Sequence, residues 1–229
     1  MENLGDIIID FDMKERMLNG KPFLSFEKEL TEERQQQQRL QFKYNNLDPD
    51  DIDGRIALLK EMLGGTGERV WMERPIYFDY GKNTYVGEDF YANSGVTILD
   101  GAKVTIGNNV MLAPGVGIYT AGHPIHPYPR NIGIEYSFPV TIGDNVWVGA
   151  QTVINPGVTI GSNVVIGSGS VVNKDIPDNV IAVGNPCRVI RKITDDDKKY
   201  YFKDLEIEKE FYEYAERDDL ENFFTKTVE

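Results

Sequence analysis

The chain has 229 residues, with 24 Lys and Arg against 37 Asp and Glu, two histidines, one cysteine, 22 glycines and 11 prolines. At 41% hydrophobic and 27% charged it is long enough for one domain or one and a half with a real core, and it is not a disordered composition. The net charge of −13 argues against nucleic-acid and anionic-membrane partners, which need basic patches, and one cysteine excludes a disulfide framework or a cysteine-clustered zinc site.

In chain order, Met1 to Asp12 is too acidic and too short in apolar length for a signal peptide, and no apolar run approaches the roughly 20 residues of a membrane span, so a cytoplasmic location is expected. Met13, Met17 and Leu18 fall at helical intervals and stop at the C-cap signal Asn19-Gly20. A second helix is predicted from Thr31 as N-cap, fading at Asn45-Asn46, and a third from Asp53 to Leu63, ending at Gly64-Gly65. Residues 1–75 therefore read as a helical cap over one end of the middle segment.

That middle segment differs in kind. Residues 86–193 carry only 6 basic and 7 acidic groups but 15 of the glycines. Ile142, Val148, Ile154, Ile160, Ile166 and Val172 recur every six residues, with Gly143, Gly149, Asn155, Gly161, Gly167 and Asn173 next to them and Val140, Val146, Thr152, Val158, Val164 and Ser170 two places before. The pattern recurs upstream as Ile106, Leu112 and Ile118, and more weakly as Val86, Ala92 and Ile98, offset by an insertion of two. A period of six is wrong for helices and fits a parallel β-helix, with one β-branched residue per unit pointing inward and a small or φ-permissive residue at each corner. Three units make a coil of 18 residues, so the two clear blocks predict three to four coils within residues 76–193. An inserted loop at 119–139 interrupts them: Pro124, Pro127 and Pro129 cannot donate to a ladder, and the segment holds both histidines, His123 and His126. Residues 194–229 form an acidic tail with interleaved aromatics, expected to be helical, in which 211–229 pack on the coil or on a neighbouring subunit.

Leu112-Ala-Pro-Gly-Val, Thr120-Ala-Gly-His-Pro, Trp147-Val-Gly, Asn155-Pro-Gly-Val-Thr-Ile-Gly and Gly184-Asn-Pro-Cys-Arg-Val-Ile, with Met13-Lys-Glu-Arg-Met-Leu-Asn-Gly in the cap, resemble the maltose and galactoside O-acetyltransferases. The resemblance covers roughly residues 13–210 and leans toward the galactoside branch. It implies a mainly β fold, a left-handed parallel β-helix of hexapeptide repeats, with an N-terminal helical cap and a C-terminal helical tail. It also implies a homotrimer with active sites between subunits, and acetyl-CoA as the acetyl donor, with no metal expected.

Moving an acetyl group from a thioester to a sugar hydroxyl needs a base, because an alcohol near neutral pH is a poor nucleophile. His123 is the candidate, since imidazole titrates near neutrality and the residue matches the family's general base. For His126 a packing or rim role is expected. The resemblance gives the thioester oxygen the Ala150 backbone N–H, and lines the cofactor groove with Trp147, Ser168, Asn173, Lys174, Arg188 and Arg191. It places Asp79, Tyr91, Asn93, Asp100 and Glu135 around the acceptor, with Ser25 where the galactoside branch has an aspartate and Gly101 where it has a second one. The acceptor pocket is thus mixed between branches. Zinc chemistry of the carbonic anhydrase kind is a poor fit to two histidines. The competing readings are a same-fold acetyltransferase for another acceptor (polysaccharide, lipo-oligosaccharide or streptogramin antibiotic) and a non-catalytic β-helix assembly module. Direct attack without an acyl-enzyme is expected, with Cys187 a small buried residue rather than a nucleophile.

Overall fold

A computed structural model describes residues 11–215, so the Ile7-Ile-Ile run and the end of the acidic tail lie outside the described residues. The coil is a triangular prism of parallel strands. Its three faces are a four-stranded sheet, a five-stranded sheet and a seven-stranded sheet whose first six strands run parallel, from Val70–Met72 to Val180–Val183. That makes six coils rather than the expected three to four, and the first begins at Val70, upstream of the expected boundary at residue 76.

The six-residue pattern maps onto the interior directly. Ile142, Val148, Ile154, Ile160, Ile166 and Val172 are each at most 1% exposed. They stack in columns: Val86, Ile106, Ile142 and Ile160 on one face, and Ile98, Ile118, Ile154 and Val172 on another. Each buried aliphatic side chain contributes about 1.5–3 kcal/mol. Eighteen residues separate Ile142 from its partner Ile160 and thirty-six separate Ile106 from Ile142, so the inserted segment takes up one whole coil of chain and leaves the register intact.

The glycines directly after the inward side chains do a different job from the one expected. The left-handed residues lie three places after the inward side chain, at Asn145, Gln151, Gly157, Asn163 and Gly169, and not at the glycines that follow it directly. Gly161 is needed for close approach: a Cβ there would lie 2.1 Å from Asp178 Oδ1 and 2.7 Å from the Asp178 backbone nitrogen. At the left-handed corner, Asn145 donates to Asn163 and Asn163 to Asn179, both at 2.9 Å, a ladder that short polar side chains tolerating positive φ can build.

The open ends are sealed by unlike devices. At the N-terminal end, helices α1 (Met13–Leu18), α2 (Lys28–Asn45) and α3 (Ile52–Met62) form the cap. The N-cap of α2 is Glu27, not the expected Thr31, whose own N–H is already bonded within the helix to the Glu27 carbonyl. Side chains of α2 satisfy the first coil's exposed backbone: Asn45 exchanges two 3.0 Å hydrogen bonds with Ile76, and Tyr44 donates to the Met72 carbonyl at 2.5 Å. Arg55 of α3 is buried, donating to the Met72 carbonyl at 2.9 Å and lying 3.9 Å over the Trp71 ring. At the other end Arg188–Lys192 folds back antiparallel on Val180–Val183 and covers that sheet edge.

The tail is not purely helical. A 3-10 turn at Asp195–Lys199 leads into a two-stranded hairpin, Tyr200–Phe202 with Leu205–Glu206, and then into a short helix at Lys209–Ala215. Phe211, Tyr212 and Tyr214 are exposed, and the Tyr212 hydroxyl donates to the Lys198 carbonyl.

Candidate active site

The inserted segment is an arm rather than a plain loop. Strand Ala121–Gly122 leaves the five-stranded face, helix α4 (Pro127–Asn131) forms the tip, and strand Ile134–Ser137 returns antiparallel to the first. The cap reaches up to it. Phe23–Leu24 adds a third strand on the far side, pairing Phe23 with Glu135 and Leu24 with Ile134. Ser137 is buried and donates to the Met17 carbonyl at 2.6 Å, fixing the same junction from below.

His123 follows the outgoing strand directly and is exposed. Its Nδ1 lies 3.2 Å from the Ile134 carbonyl oxygen. A carbonyl can only accept, so the proton of the neutral ring sits on Nδ1 and Nε2 carries a free lone pair. His126 has the opposite arrangement: its Nδ1 accepts from the Tyr128 N–H at 3.2 Å and caps α4. Among the described residues no group of three or more His, Cys, Asp or Glu could hold a metal ion.

On the cap side of the arm lies a knot of charge. Ser25 donates to Glu135, and Arg34 of α2 donates to the Ser25 carbonyl, to the Tyr80 hydroxyl oxygen at 2.6 Å and to Thr31 Oγ1 at 3.4 Å. Asp79 is pushed up to about 6, first by burial and then by the neighbouring Asp100 and Glu135, with Arg34 opposing. Burial likewise raises Tyr80 to about 12, so its phenol stays protonated. Asn93 and Tyr91 are part-buried on the next coil; the Asn93 side-chain oxygen accepts from Ser94 N–H at 2.8 Å, and Tyr91 pairs in register with Trp71 and Met111.

Asp100 has a different task from the acceptor contact expected of it. It is fully buried, and its carboxylate accepts from the Tyr80 and Gly81 N–H groups at 2.9 and 3.1 Å and from the Thr84 hydroxyl at 3.0 Å. It sits in the two-residue insertion that lengthens its own coil, and it holds the 80–84 turn of the coil before it. Gly101 beside it lies 3.4 Å (as a would-be Cβ) from the Ser137 side chain, inside the same packed corner.

The residues expected in the groove fall on the coils that follow the arm. Trp147 is half exposed on the outer side of the seven-stranded face, in register with Met111 and Val165. Two residues past that strand, the Ala150 carbonyl accepts from Gly169, while its N–H has no acceptor among the described residues. Ser168 is exposed in the next coil against Gly149, and Asn173 is exposed past the following strand. Lys174 and Arg188 have no carboxylate partner among the described residues, whereas Arg191 is held by both oxygens of Asp197 at 2.7 and 2.8 Å. Arg191 is thus tied to the start of the tail, and its guanidinium holds the Asp197 carboxyl far below the usual carboxylate range. Cys187 is buried, and burial raises its thiol, which disfavours the thiolate a nucleophile needs.

Nothing in the sequence singles out Arg34 and Tyr80. Arg34 reads there as one more charge on a solvent-facing helix, and only its contacts with residues 9 and 46 positions away distinguish it.

The family described as maltose acetyltransferase hexapeptide capping motif matches residues 16–67, and the bacterial transferase hexapeptide (six repeats) matches residues 139–174. The chain is 50% identical over 200 residues to the galactoside O-acetyltransferase of Escherichia coli (strain K12), covering 87% of this chain and 98% of that protein. A solved galactoside acetyltransferase in complex with coenzyme A matches with a TM-score of 0.84 at 51% identity, over 87% of this chain and 100% of that one. The crystal structure of a maltose O-acetyltransferase from Clostridium difficile 630 matches with a TM-score of 0.80 at 51% identity, over 81% and 99%.

Proposed function

This chain belongs to the galactoside and maltose O-acetyltransferases, enzymes built on a left-handed β-helix, and from that premise we propose that it moves the acetyl group of acetyl-CoA onto a sugar hydroxyl with His123 as general base. The observation that carries the reading is the His123 Nδ1 contact with the Ile134 carbonyl, which leaves Nε2 as the proton acceptor. Nε2 takes the hydroxyl proton as the sugar oxygen attacks the thioester carbonyl. The C–O bond forms, the C–S bond breaks, and the imidazolium returns the proton to the departing thiolate. No acyl-enzyme is formed, and the buried Cys187 takes no part.

Negative charge on the thioester oxygen needs a donor, and the Ala150 N–H supplies one in a fixed corner of the coil. Lys174 and Arg188 offer charge for coenzyme A phosphates, with Trp147, Ser168 and Asn173 along the arm of the cofactor. Arg191 reaches the same phosphates only by sharing its guanidinium with Asp197. The acceptor lies between His123 and the polar set Asn93, Tyr91, Asp79, Ser25 and Glu135. The enzyme works as a homotrimer with a site between adjacent subunits, in the cytoplasm.

The test is thiol release from acetyl-CoA by the purified protein against galactosides, thiogalactosides, glucose and maltose, with His123→Ala in parallel. Turnover on one class that falls about 10²–10⁴-fold in the variant is expected. Turnover that survives the substitution removes His123 as the base.

A further inference from the structure

The catalytic ring is oriented by a carbonyl that does not belong to the rigid coil. Ile134 lies on the returning arm strand, and the arm projects from the solenoid on two short strands, Ala121–Gly122 and Ile134–Ser137. What holds the outer edge of that strand is Phe23–Leu24, a two-residue strand from the cap, with Leu24 opposite Ile134 itself. Two residues cannot define a register alone. Phe23 is anchored by burial with Met13, Met17, Leu30 and Tyr80, and the residue after the strand, Ser25, is gripped twice. Its hydroxyl donates to Glu135 on the arm and its carbonyl accepts from Arg34.

Arg34 closes this chain. It is part-buried, it stands on α2, and it donates at once to Ser25, to the Tyr80 hydroxyl of the first coil and to Thr31 of its own helix. One guanidinium fork therefore ties cap helix, clasp strand and coil together, a role for which a lysine point charge is not equivalent. Two facts separate this from ordinary cap packing. Arg34 reaches the carbonyl of the residue beside the clasp, and it makes none of the bonds to Met72 and Ile76 by which Tyr44, Asn45 and Arg55 seal the coil's open end. The strand so held is the one that carries the Ile134 carbonyl.

We propose that Arg34 is a positioning residue for acetyl transfer: acting through Ser25 and the Phe23–Leu24 clasp, it fixes the arm strand whose Ile134 carbonyl keeps His123 in the Nδ1–H tautomer. The proposal rests on His123 being the base. Without Arg34 the clasp loosens, the ring drops its carbonyl partner, and the Nε2–H form that an unrestrained imidazole prefers takes over. That form has no lone pair facing the acceptor.

With two histidines in the whole chain, the tautomer can be read directly by ¹⁵N NMR of histidine-labelled protein, His126→Gln supplying the assignment. The wild type is expected to show a protonated Nδ1 and a bare Nε2 for His123, and Arg34→Gln a mixture of both forms. Its kcat should fall about tenfold or more, while KM for acetyl-CoA stays within twofold. Arg34→Lys, which retains the charge but not the fork, should lie between the two; it also keeps the test open if Arg34→Gln fails to fold. An unchanged tautomer with a raised acceptor KM overturns the proposal and makes Arg34 an acceptor ligand. An unchanged tautomer and unchanged kcat overturn it as well. If the wild type turns over no sugar, the proposed function fails while the NMR result still decides whether Arg34 orients the ring.

Discussion

The coil interior and the arm–cap junction are held by opposite strategies. Inside the coil, each inward side chain meets an equivalent one above and below, as Ile142 meets Ile106 and Ile160, and all are excluded from water. At the junction, beside the apolar cluster around Phe23, the specifying contacts are single hydrogen bonds that join distant parts of the chain: Ser25 to Glu135, Ser137 to Met17, Arg34 to Tyr80. A repeated apolar contact is strong but says nothing specific, whereas a single hydrogen bond is weak and sets one geometry. The scaffold can therefore be stiff while the site is tuned by few residues, and loss of a coil residue should cost stability where loss of a junction residue costs rate.

The largest effect expected on stability is in the coil. Ile160→Ala removes a fully buried side chain from a column that cannot collapse without disturbing the coils on either side, and should cost about 3 kcal/mol of unfolding free energy. Denaturant titration measures it, and the folded variant should keep kcat within about twofold. A comparable loss of kcat would mean that the coil is more than a passive scaffold.

A smaller effect tests the boundary between the two regions. Asp100→Ala strands the Tyr80 and Gly81 N–H groups in a buried corner and should cost about 2–3 kcal/mol. Asp100→Asn retains an acceptor oxygen for both and an amide that can donate to Thr84, and should cost less than about 1 kcal/mol. Thermal melts of the pair decide it. Equal losses would mean that the charge itself, and not the acceptor geometry, holds the turn.

The same contrast explains what the sequence discloses. Every inward position from Ile142 to Val172 is legible because a period of six repeats one physical requirement. The first coil is not, since Met72 and Phe78 replace the β-branched residues there and the Asp100 insertion breaks the count. The corner chemistry is legible only in part, because glycine serves close approach as well as positive φ, and the positive φ is shared between asparagines such as Asn145 and Asn163 and glycines such as Gly157 and Gly169. His123 stands out by residue type and motif. The start of α2 and the role of Arg34 do not, because a helix arginine has no periodic partner and its meaning lies in which carbonyl it reaches.

The finest prediction concerns Asp79, where coil and junction meet. Burial and the neighbouring Asp100 and Glu135 raise its carboxyl from 3.8 to about 6, so the folded protein holds a proton between those values that the unfolded chain has released. Ionising Asp79 therefore weighs against the fold: the penalty is absent below about pH 4, grows between pH 4 and pH 6, and is complete above. The gap corresponds to about 3 kcal/mol, reduced to about 2 kcal/mol because the group is only partly shielded from solvent. Asp79→Asn removes the ionisation, so at pH 8 the variant should be about 2 kcal/mol more stable than the wild type, and the difference should shrink toward zero by pH 4. Denaturant curves at several pH values check this, and the variant-minus-wild-type difference cancels the carboxylates held low elsewhere, such as Asp89 beside Arg69. If Asp79 also contacts the acceptor, the stabilised variant should show a raised sugar KM with an unchanged KM for acetyl-CoA, stability given up at the junction for the sake of binding. A difference that stays flat with pH would mean that Asp79 is already neutralised by Arg34, leaving its place on the junction purely structural.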